Sequence, residues 1–141
     1  MTLFCLAAHT TMAQKYNPYL KEWEEADSLL ALRQTRSALR KVEAILERAR
    51  EQNNPPQIYK ALCVAARIRF NLNDTTAVQE LFSTFEGEIA RQSPPVKNLL
   101  QSALAELYWS YYQSNRWKFL NRTAVENFDP GDVETWDLRR L

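Results

Sequence analysis

The sequence predicts an all-α protein built from antiparallel helix hairpins. Apolar residues recur three and four positions apart along most of the chain, which is the period of an amphipathic helix. Only 2 glycines and 6 prolines occur in 141 residues, fewer than a turn-rich β protein needs. Apolar residues make up 45% of the chain, which is enough to form a core, so disorder is not expected. The length fits one domain or a fragment of a larger protein.

Residues 1–14 differ from the rest and are interpreted as the remnant of a signal peptide, followed by a helical-repeat domain over residues 15–141. The stretch has an apolar centre at residues 3–8 and closes on Ala13, a suitable residue before a signal-peptidase cut. No basic residue precedes Lys15, so the charged start of such a peptide would lie upstream. The alternative is an apolar N-terminal arm.

The first predicted hairpin covers residues 19–53. An apolar stripe marks its first helix: Trp23, Ala26, Leu29 and Leu30. Residues 34–36 interrupt this pattern, and Thr35 is a plausible N-cap for the second helix. The second helix has an apolar face with helical spacing: Ala38, Leu39, Val42, Ile45, Leu46 and Ala49. Its opposite face mixes basic and acidic residues, which is typical of a solvated surface.

Proline pairs bound the second predicted hairpin, over residues 56–93. Pro55-Pro56 and Pro94-Pro95 each end a helix, because proline lacks the backbone donor and restricts the residue before it. The expected buried residues are Ile58, Leu62, Ala65, Ala66, Phe70, Ala77, Val78, Leu81, Phe82, Phe85 and Ile89. A third hairpin is predicted over residues 95–121, with its first helix ending near Ser114. A further helix is predicted over residues 132–141, after a turn of sequence Asp-Pro-Gly-Asp.

Similar residues recur 39 positions apart. The spacing separates Pro55 from Pro94 (94 − 55 = 39), and it also separates Ala26 from Ala65, Ala38 from Ala77, and Val42 from Leu81. Small residues at fixed places allow two helices to approach closely, and 39 lies between the tetratricopeptide and HEAT-like periods. The spacing predicts a right-handed, tetratricopeptide-like stack of helix pairs. Chance spacing in an ordinary helical bundle is the alternative.

The residue types argue against most catalytic and binding classes. The only histidine, His9, lies in the predicted leader, so histidine-dependent triads and metal sites are not expected beyond it. Two scattered glycines cannot form a phosphate-binding loop. A net charge of +1 gives no basic face for nucleic acid, and no run approaches the roughly 20 apolar residues of a membrane span. We therefore expect no enzyme activity, cofactor, metal, nucleic acid, membrane span or small-molecule substrate.

Two remaining features have plain structural interpretations. Cys63 lies in an apolar run and is interpreted as a small core residue rather than a nucleophile. Acidic clusters at residues 22–27 and 129–137 coincide with predicted helix starts, where carboxylates favour the helix dipole. A small hydrolase using paired carboxylates is the disfavoured alternative.

Aromatic residues concentrate at residues 107–123, which contain three of the six tyrosines and two of the four tryptophans. We expect these rings to cap the core of the last hairpin with their polar edges in water, and Trp109 and Trp117 to pack there. The alternative is an exposed docking face, because Tyr, Trp and Arg are common in binding hot spots.

A set of residues in and around this stretch has a recognisable pattern: Tyr108, Tyr112, Asn115, Arg116, Trp117, Arg122 and Trp136. With Ala13-Gln14 at the end of the leader and a break at residues 54–56, the pattern resembles the N-terminal helical region of large alpha-2-macroglobulin-like proteins of Bacteroidetes. The resemblance implies a protein of the periplasm or outer cell envelope, in which a long macroglobulin body traps proteases. Many members carry a Cys-x-x-Gln thioester, but Cys63 is followed by Val-Ala-Ala, so no trapping residue is carried over.

The leading hypothesis is a non-catalytic helical-repeat module from the N-terminal part of such an exported protein. It would serve as a structural or docking segment for a protein partner or for the rest of its parent chain. The seven residues of the pattern are the candidate docking positions. The alternative is a free-standing tetratricopeptide-like adaptor that binds a protein or a peptide.

Overall fold

The protein is all-helical in the part of the chain that its structure, a computed structural model, describes: residues 17–72, 75–120, 129 and 132–137. These residues contain no strand, and they form five α-helices and one short 3-10 helix. The elements are α1 (Leu20–Ala31), α2 (Thr35–Glu51), α3 (Pro55–Asn71), α4 (Thr75–Arg91), α5 (Val96–Leu120) and the 3-10 helix Val133–Thr135. The all-α prediction is confirmed. The predicted leader, with Cys5 and His9, lies outside the described residues.

Two similar helix ends reverse the chain after α1 and α2. Arg33 (φ 59°) and Asn53 (φ 45°) adopt the left-handed conformation just past each helix. The amide of Arg33 donates to the carbonyl of Leu30, and the next amide donates five residues back to Leu29. At the end of α2, the amide of Asn53 likewise donates to the carbonyl of Arg50, and the next amide donates to the carbonyl of Ala49. Both ends are Schellman motifs, which use the last carbonyls of a helix and turn the chain sharply.

The helix starts differ by one residue from the sequence expectation. Thr35 is the first residue of α2 rather than its N-cap, and Gln34 occupies the cap position without a side-chain hydrogen bond. The α3 helix begins at Pro55. Proline lacks an amide hydrogen, but the amide of a first helical residue has no hydrogen-bond partner within the helix, so proline is tolerated there. The Asn54 side chain caps α3 by accepting a hydrogen bond from the Gln57 amide (3.4 Å).

The main core lies between α1, α2, α3, α4 and the first half of α5. Its buried members match most of the predicted apolar stripes: Trp23, Ala26, Ala38, Val42, Ile45, Leu46, Ala49, Ile58, Leu62, Ala65, Ala66, Leu81 and Phe85. Leu29, Leu30, Leu39, Phe70 and Ile89 are only partly buried at its edge. The helical period therefore identified the inward faces correctly.

Polar contacts show how the helices are arranged. Consecutive helices contact each other, and α3 also contacts α5. The indole nitrogen of Trp23 on α1 donates to Oε1 of Gln57 on α3 (2.8 Å), and Arg50 on α2 pairs with Glu88 on α4. Side-chain contacts therefore join α1 to α3 and α2 to α4, in addition to the contacts between consecutive helices. No helix in the described part combines the length and hydrophobicity needed to span a bilayer.

The last described segments depart from the predicted boundaries. The α5 helix continues to Leu120, past the predicted end near Ser114, and is kinked at Asn115 (φ −117°, ψ 15°). The Asn115 side-chain amide donates to the carbonyl of Tyr111 (2.9 Å), so that carbonyl keeps a partner at the kink. In place of the α-helix predicted over residues 132–141 there is one 3-10 turn, and residues 136 and 137 are not helical. Residues 138–141 lie outside the described part.

The physical reason for the missing helix is a set of bonds that fold this segment back on itself. The Asp129 carbonyl accepts hydrogen bonds from Oγ1 of Thr135 (3.1 Å) and from the indole of Trp136 (3.0 Å). The Val133 amide donates to Oε1 of Gln79 on α4 (3.0 Å), and Val133 is buried. The segment is therefore held against α4 in this folded-back conformation.

Candidate docking groove and aromatic cluster

Most of the aromatic residues singled out by the sequence pack at the end of the last hairpin. Tyr108 stacks on Phe82 with ring centroids 4.4 Å apart, and Trp136 stacks on Tyr108 at 5.8 Å. Tyr112 lies 5.9 Å from Phe119. A second core cluster forms around them from Val78, Phe82, Tyr111, Phe119 and Val133. Of the rings at residues 107–123, Tyr108, Tyr111 and Tyr112 pack in this cluster between α4 and α5, as expected, and Trp136 from beyond that stretch joins them.

The hydroxyl of Tyr108 is held as a neutral donor. It donates to Oε1 of Glu86 on α4 at 3.0 Å. Burial raises the pKa of Tyr108 well above its usual range, and the hydrogen bond to the Glu86 carboxylate and the charge of that carboxylate add to the effect. This tyrosine therefore joins α4 to α5 through a hydrogen bond.

The prediction that Trp109 and Trp117 pack in the last hairpin is wrong. Their side chains are 60% and 65% exposed. Trp109 projects from the outward side of α5 and meets only the edge of the cluster, 5.5 Å from the ring of Tyr112. The kink at Asn115 changes the direction of the turn that follows, so Phe119 takes the buried position and Trp117 stays outside.

The remaining candidate positions do not come together as one site. Asn115 forms the kink, and Arg116 is exposed with no bonding partner among the described residues. Arg122 lies outside the described residues. Trp136 stacks on Tyr108, whereas Trp117 is exposed. A docking role for the seven residues therefore stays a prediction.

An elongated groove of about 560 Å³ lies between α3 and α5. Its volume falls in the range of about 300–1,000 Å³ typical of ligand sites. Polar side chains form its two walls: Tyr59, Cys63, Arg67 and Asn71 on α3, and Ser102, Glu106 and Ser110 on α5. Its floor is mostly apolar: Ala66, Phe70, Phe85, Ala103 and Leu107. The groove was not identified from the sequence.

The length of the groove suits an extended chain rather than a compact molecule. Twelve residues separate Tyr59 from Asn71 along the α3 wall, which is about 18 Å at the helical rise. An extended peptide of about five residues covers that distance. Arg67 and Asn71 also line a second cavity of about 440 Å³ between α1 and α3. These two residues therefore lie between the groove and the second cavity.

Cys63 lines this groove and is half-buried, so its interpretation as a core residue is wrong. Burial raises the pKa of the Cys63 thiol, and a hydrogen bond from Tyr59 only partly opposes this. The pKa of Tyr59 is raised by the charge of an ionised Cys63, by the hydrogen bond to it and, more weakly, by burial and Glu106. Both groups are therefore neutral at physiological pH. A protonated thiol is a poor nucleophile.

Arg67 and Glu106 bring one positive and one negative charge to the same groove without pairing. Neither forms an ion pair with any residue in the described part of the chain. Elsewhere on the surface, long charged side chains do pair, as Arg69 does with Glu43 (2.7 Å). The groove thus offers an unpaired donor on one wall and an unpaired acceptor on the other.

A signal for the groove was present in the polar positions of the sequence. Cys63, Arg67 and Asn71 lie 39 residues before Ser102, Glu106 and Ser110, since 102 − 63 = 106 − 67 = 110 − 71 = 39. Apolar stripes reveal only inward faces, so they could not point to it. The same spacing applied to polar residues would have paired the two walls.

Comparison with known proteins provides no analogy for this site. Neither the protein-family models, nor the curated proteins, nor the solved structures include a match to this chain. Within the described residues, no group of three or more His, Cys, Asp or Glu side chains is placed to hold a metal ion. The function has to be inferred from the chemistry of the groove and of the exposed surface.

Proposed function

We propose that this chain is a non-catalytic helical-repeat module that holds a polypeptide segment of a protein partner in the groove between α3 and α5. The observation behind this proposal is an elongated groove with an apolar floor and unpaired polar groups on both walls. Such a groove matches an extended chain, which needs apolar contact for its side chains and hydrogen bonds for its main chain. The Cys63 thiol, neutral at physiological pH, gives no support to a reaction at this place.

The arrangement of the helices supports the repeat part of the proposal. Contacts of α1 with α3 and of α2 with α4 are the order expected for stacked helix pairs. The groove walls belong to α3 and α5, which contact each other. Residues 39 apart on these two helices line the same groove, as a period of about 39 in a tetratricopeptide-like stack requires.

A second candidate function is that of a structural segment in a larger exported, alpha-2-macroglobulin-like protein of the cell envelope. One observation favours it: four large apolar side chains of α5 are at least half exposed, namely Leu99, Trp109, Trp117 and Leu120. Another part of a parent chain could cover this face. Sequencing the DNA on both sides of the reading frame tests the idea. An in-frame continuation into β-rich macroglobulin domains would support it, and a stop codon directly after Leu141 would exclude it.

Peptide selection with a blocked groove tests the docking proposal. A random heptapeptide library displayed on phage is selected against the purified chain, and the enriched peptides are then measured against two variants. Ser102→Trp places a large ring in the groove, whereas Ser83→Trp places the same ring on the exposed side of α4. The two serines are matched, because each is exposed and donates to the carbonyl four residues earlier.

The expected result is a family of peptides that bind the native chain and Ser83→Trp but not Ser102→Trp. Circular dichroism and thermal unfolding establish that both variants are folded. If the selected peptides bind all three proteins equally, the groove is not the docking site and the proposal is wrong.

A further inference from the structure

We infer that the groove between α3 and α5 recognises the main chain of an uncharged, extended peptide segment, with Arg67 donating hydrogen bonds from one wall and Glu106 accepting them on the other. This inference rests on the proposed function and adds the chemical class of the ligand. It makes Arg67 and Glu106 the principal specificity-determining residues of the groove.

The first step is the hydrogen-bonding need of an extended chain. Its amide and carbonyl groups point alternately to its two sides, and each loses water when the chain enters a groove. A main-chain group that is buried without a partner costs free energy. The α3 wall offers the five N–H donors of Arg67, and the α5 wall offers the carboxylate acceptor of Glu106.

Other wall residues complete this set on both sides. Asn71 on α3 and Ser110 on α5 each supply both a donor and an acceptor, and neither has a hydrogen-bond partner among the described residues. Ser102 donates to the Asn98 carbonyl at 3.1 Å and keeps its acceptor capacity. Each wall can therefore satisfy both amides and carbonyls of a passing chain.

The second step is the charge balance of the groove. Arg67 and Glu106 are its two charged lining residues, so their charges cancel in sum. A charged ligand side chain attracted to one of them would be repelled by the other a few residues away. A segment with a single charged side chain would therefore be attracted to one wall and repelled by the other, so the arrangement favours a held segment without net charge.

The third step is the shape of the floor. Ala66 and Ala103 are small lining residues, each one helical turn before the larger Phe70 or Leu107. Every second residue of an extended segment faces the same way, so alternate side chains reach this floor while the others face water. Small or medium apolar residues at alternate positions would fill it.

Capped peptides of defined charge and a charge exchange test the inference. Three pools of N-acetylated, C-amidated heptapeptides with a neutral dye are measured by fluorescence anisotropy: an uncharged pool, a pool with one glutamate per peptide and a pool with one lysine. The proteins are the native chain, Arg67→Gln, Glu106→Gln, the double variant R67E/E106R, and Arg40→Gln as a control. Arg40 is exposed on α2, outside the groove, and forms no ion pair with any of the residues that the structure describes.

We expect the uncharged pool to bind the native chain and Arg40→Gln most tightly. Each single groove variant should weaken this binding about tenfold, because a charge-assisted hydrogen bond is lost. The double variant should stay within about threefold of the native chain, because both edges of an extended main chain carry donors and acceptors.

Two results would overturn the inference and differ in what they leave standing. If the glutamate pool binds best and the double variant prefers the lysine pool, the groove recognises a ligand charge, and the docking function stands without main-chain recognition. If no pool binds in a way that Ser102→Trp abolishes, the inference and the proposed docking function fail together.

Discussion

Arg50 on α2 and Glu88 on α4 form a buried ion pair between two helices that are not consecutive in the chain. Nε and Nη2 of Arg50 each lie 2.9 Å from Oε2 of Glu88. The second carboxylate oxygen accepts a hydrogen bond from the Gln92 side chain (2.9 Å). Glu88 is only 1% exposed, so these partners replace water around its carboxylate. The pair joins α2 to α4.

Removing the buried carboxylate should destabilise the protein strongly. Glu88→Ala leaves Arg50 without its main partner and opens a void between α2 and α4, so we expect a loss of about 3 kcal/mol in the free energy of unfolding. Urea denaturation followed by circular dichroism measures it. Glu47→Ala is the matched control, because Glu47 pairs with the same arginine (2.7 Å) but is exposed, and should cost less than about 1 kcal/mol. Equal losses in the two variants would contradict a stabilising role for the buried pair.

Exposure of Trp117 predicts a small effect of its removal. Because its ring is 65% exposed, Trp117→Ala should change the free energy of unfolding by less than about 1 kcal/mol. Trp23→Ala should cost about 3 to 5 kcal/mol, since that ring is buried, donates to Gln57 and lies under the ammonium of Lys60 (4.0 Å). The same urea experiment compares them. A loss of several kcal/mol for Trp117→Ala would place this ring inside the last hairpin after all.

A glycine at the end of α1 should stabilise the protein. Arg33 has φ 59°, a conformation in which a side chain is strained and glycine is not. We expect Arg33→Gly to raise the free energy of unfolding by up to about 1 kcal/mol. Arg40→Gly, the same change in the middle of α2, should lower it by about 1 kcal/mol. Thermal unfolding would show opposite shifts, and a shift in the same direction for both would argue against the Schellman motif.

The Cys63 thiol should react slowly at neutral pH and only gain reactivity at high pH. Burial raises the pKa of Cys63 above the ordinary value. The thiolate, which is the form that attacks iodoacetamide, therefore forms at a higher pH than in an exposed cysteine. For the same reason, the neutral thiol favours the folded state below the ordinary pKa, and this contribution is lost as the pH rises through the folded-state pKa. The rate of alkylation is measured against pH in a Cys5→Ser background, which leaves one thiol. The same protein unfolded in urea is the control, and identical profiles would contradict the burial of Cys63.

Much of the fold could be predicted because helical periodicity is a local property. The spacing of Val42, Ile45, Leu46 and Ala49 identified the inward face of α2, and all four are buried. The proline pairs located two chain breaks correctly, since proline limits the backbone at its own position. The end of α5 was missed because Asn115 bends the helix without ending it.

The candidate site was harder to predict from the sequence, because two helices form the groove and the residues of each wall are not distinctive when they are considered separately. Arg67 and Glu106 look like ordinary surface charges in the sequence, and only the contact between α3 and α5 brings them to one cavity. Trp109 was expected inside because large rings are usually buried, but its angular position on α5 faces outward.

The sequence by itself determined that this chain is helical and which stripes of its first four helices turn inward, because both follow from backbone propensity and a 3.6-residue period. Tertiary structure alone decided which tryptophans stay in water, where the chain folds back at Val133, and that a groove with two opposite charges lies between α3 and α5. Those features depend on the angles between packed helices and on single backbone torsions such as that of Asn115, and no local pattern of residues encodes them.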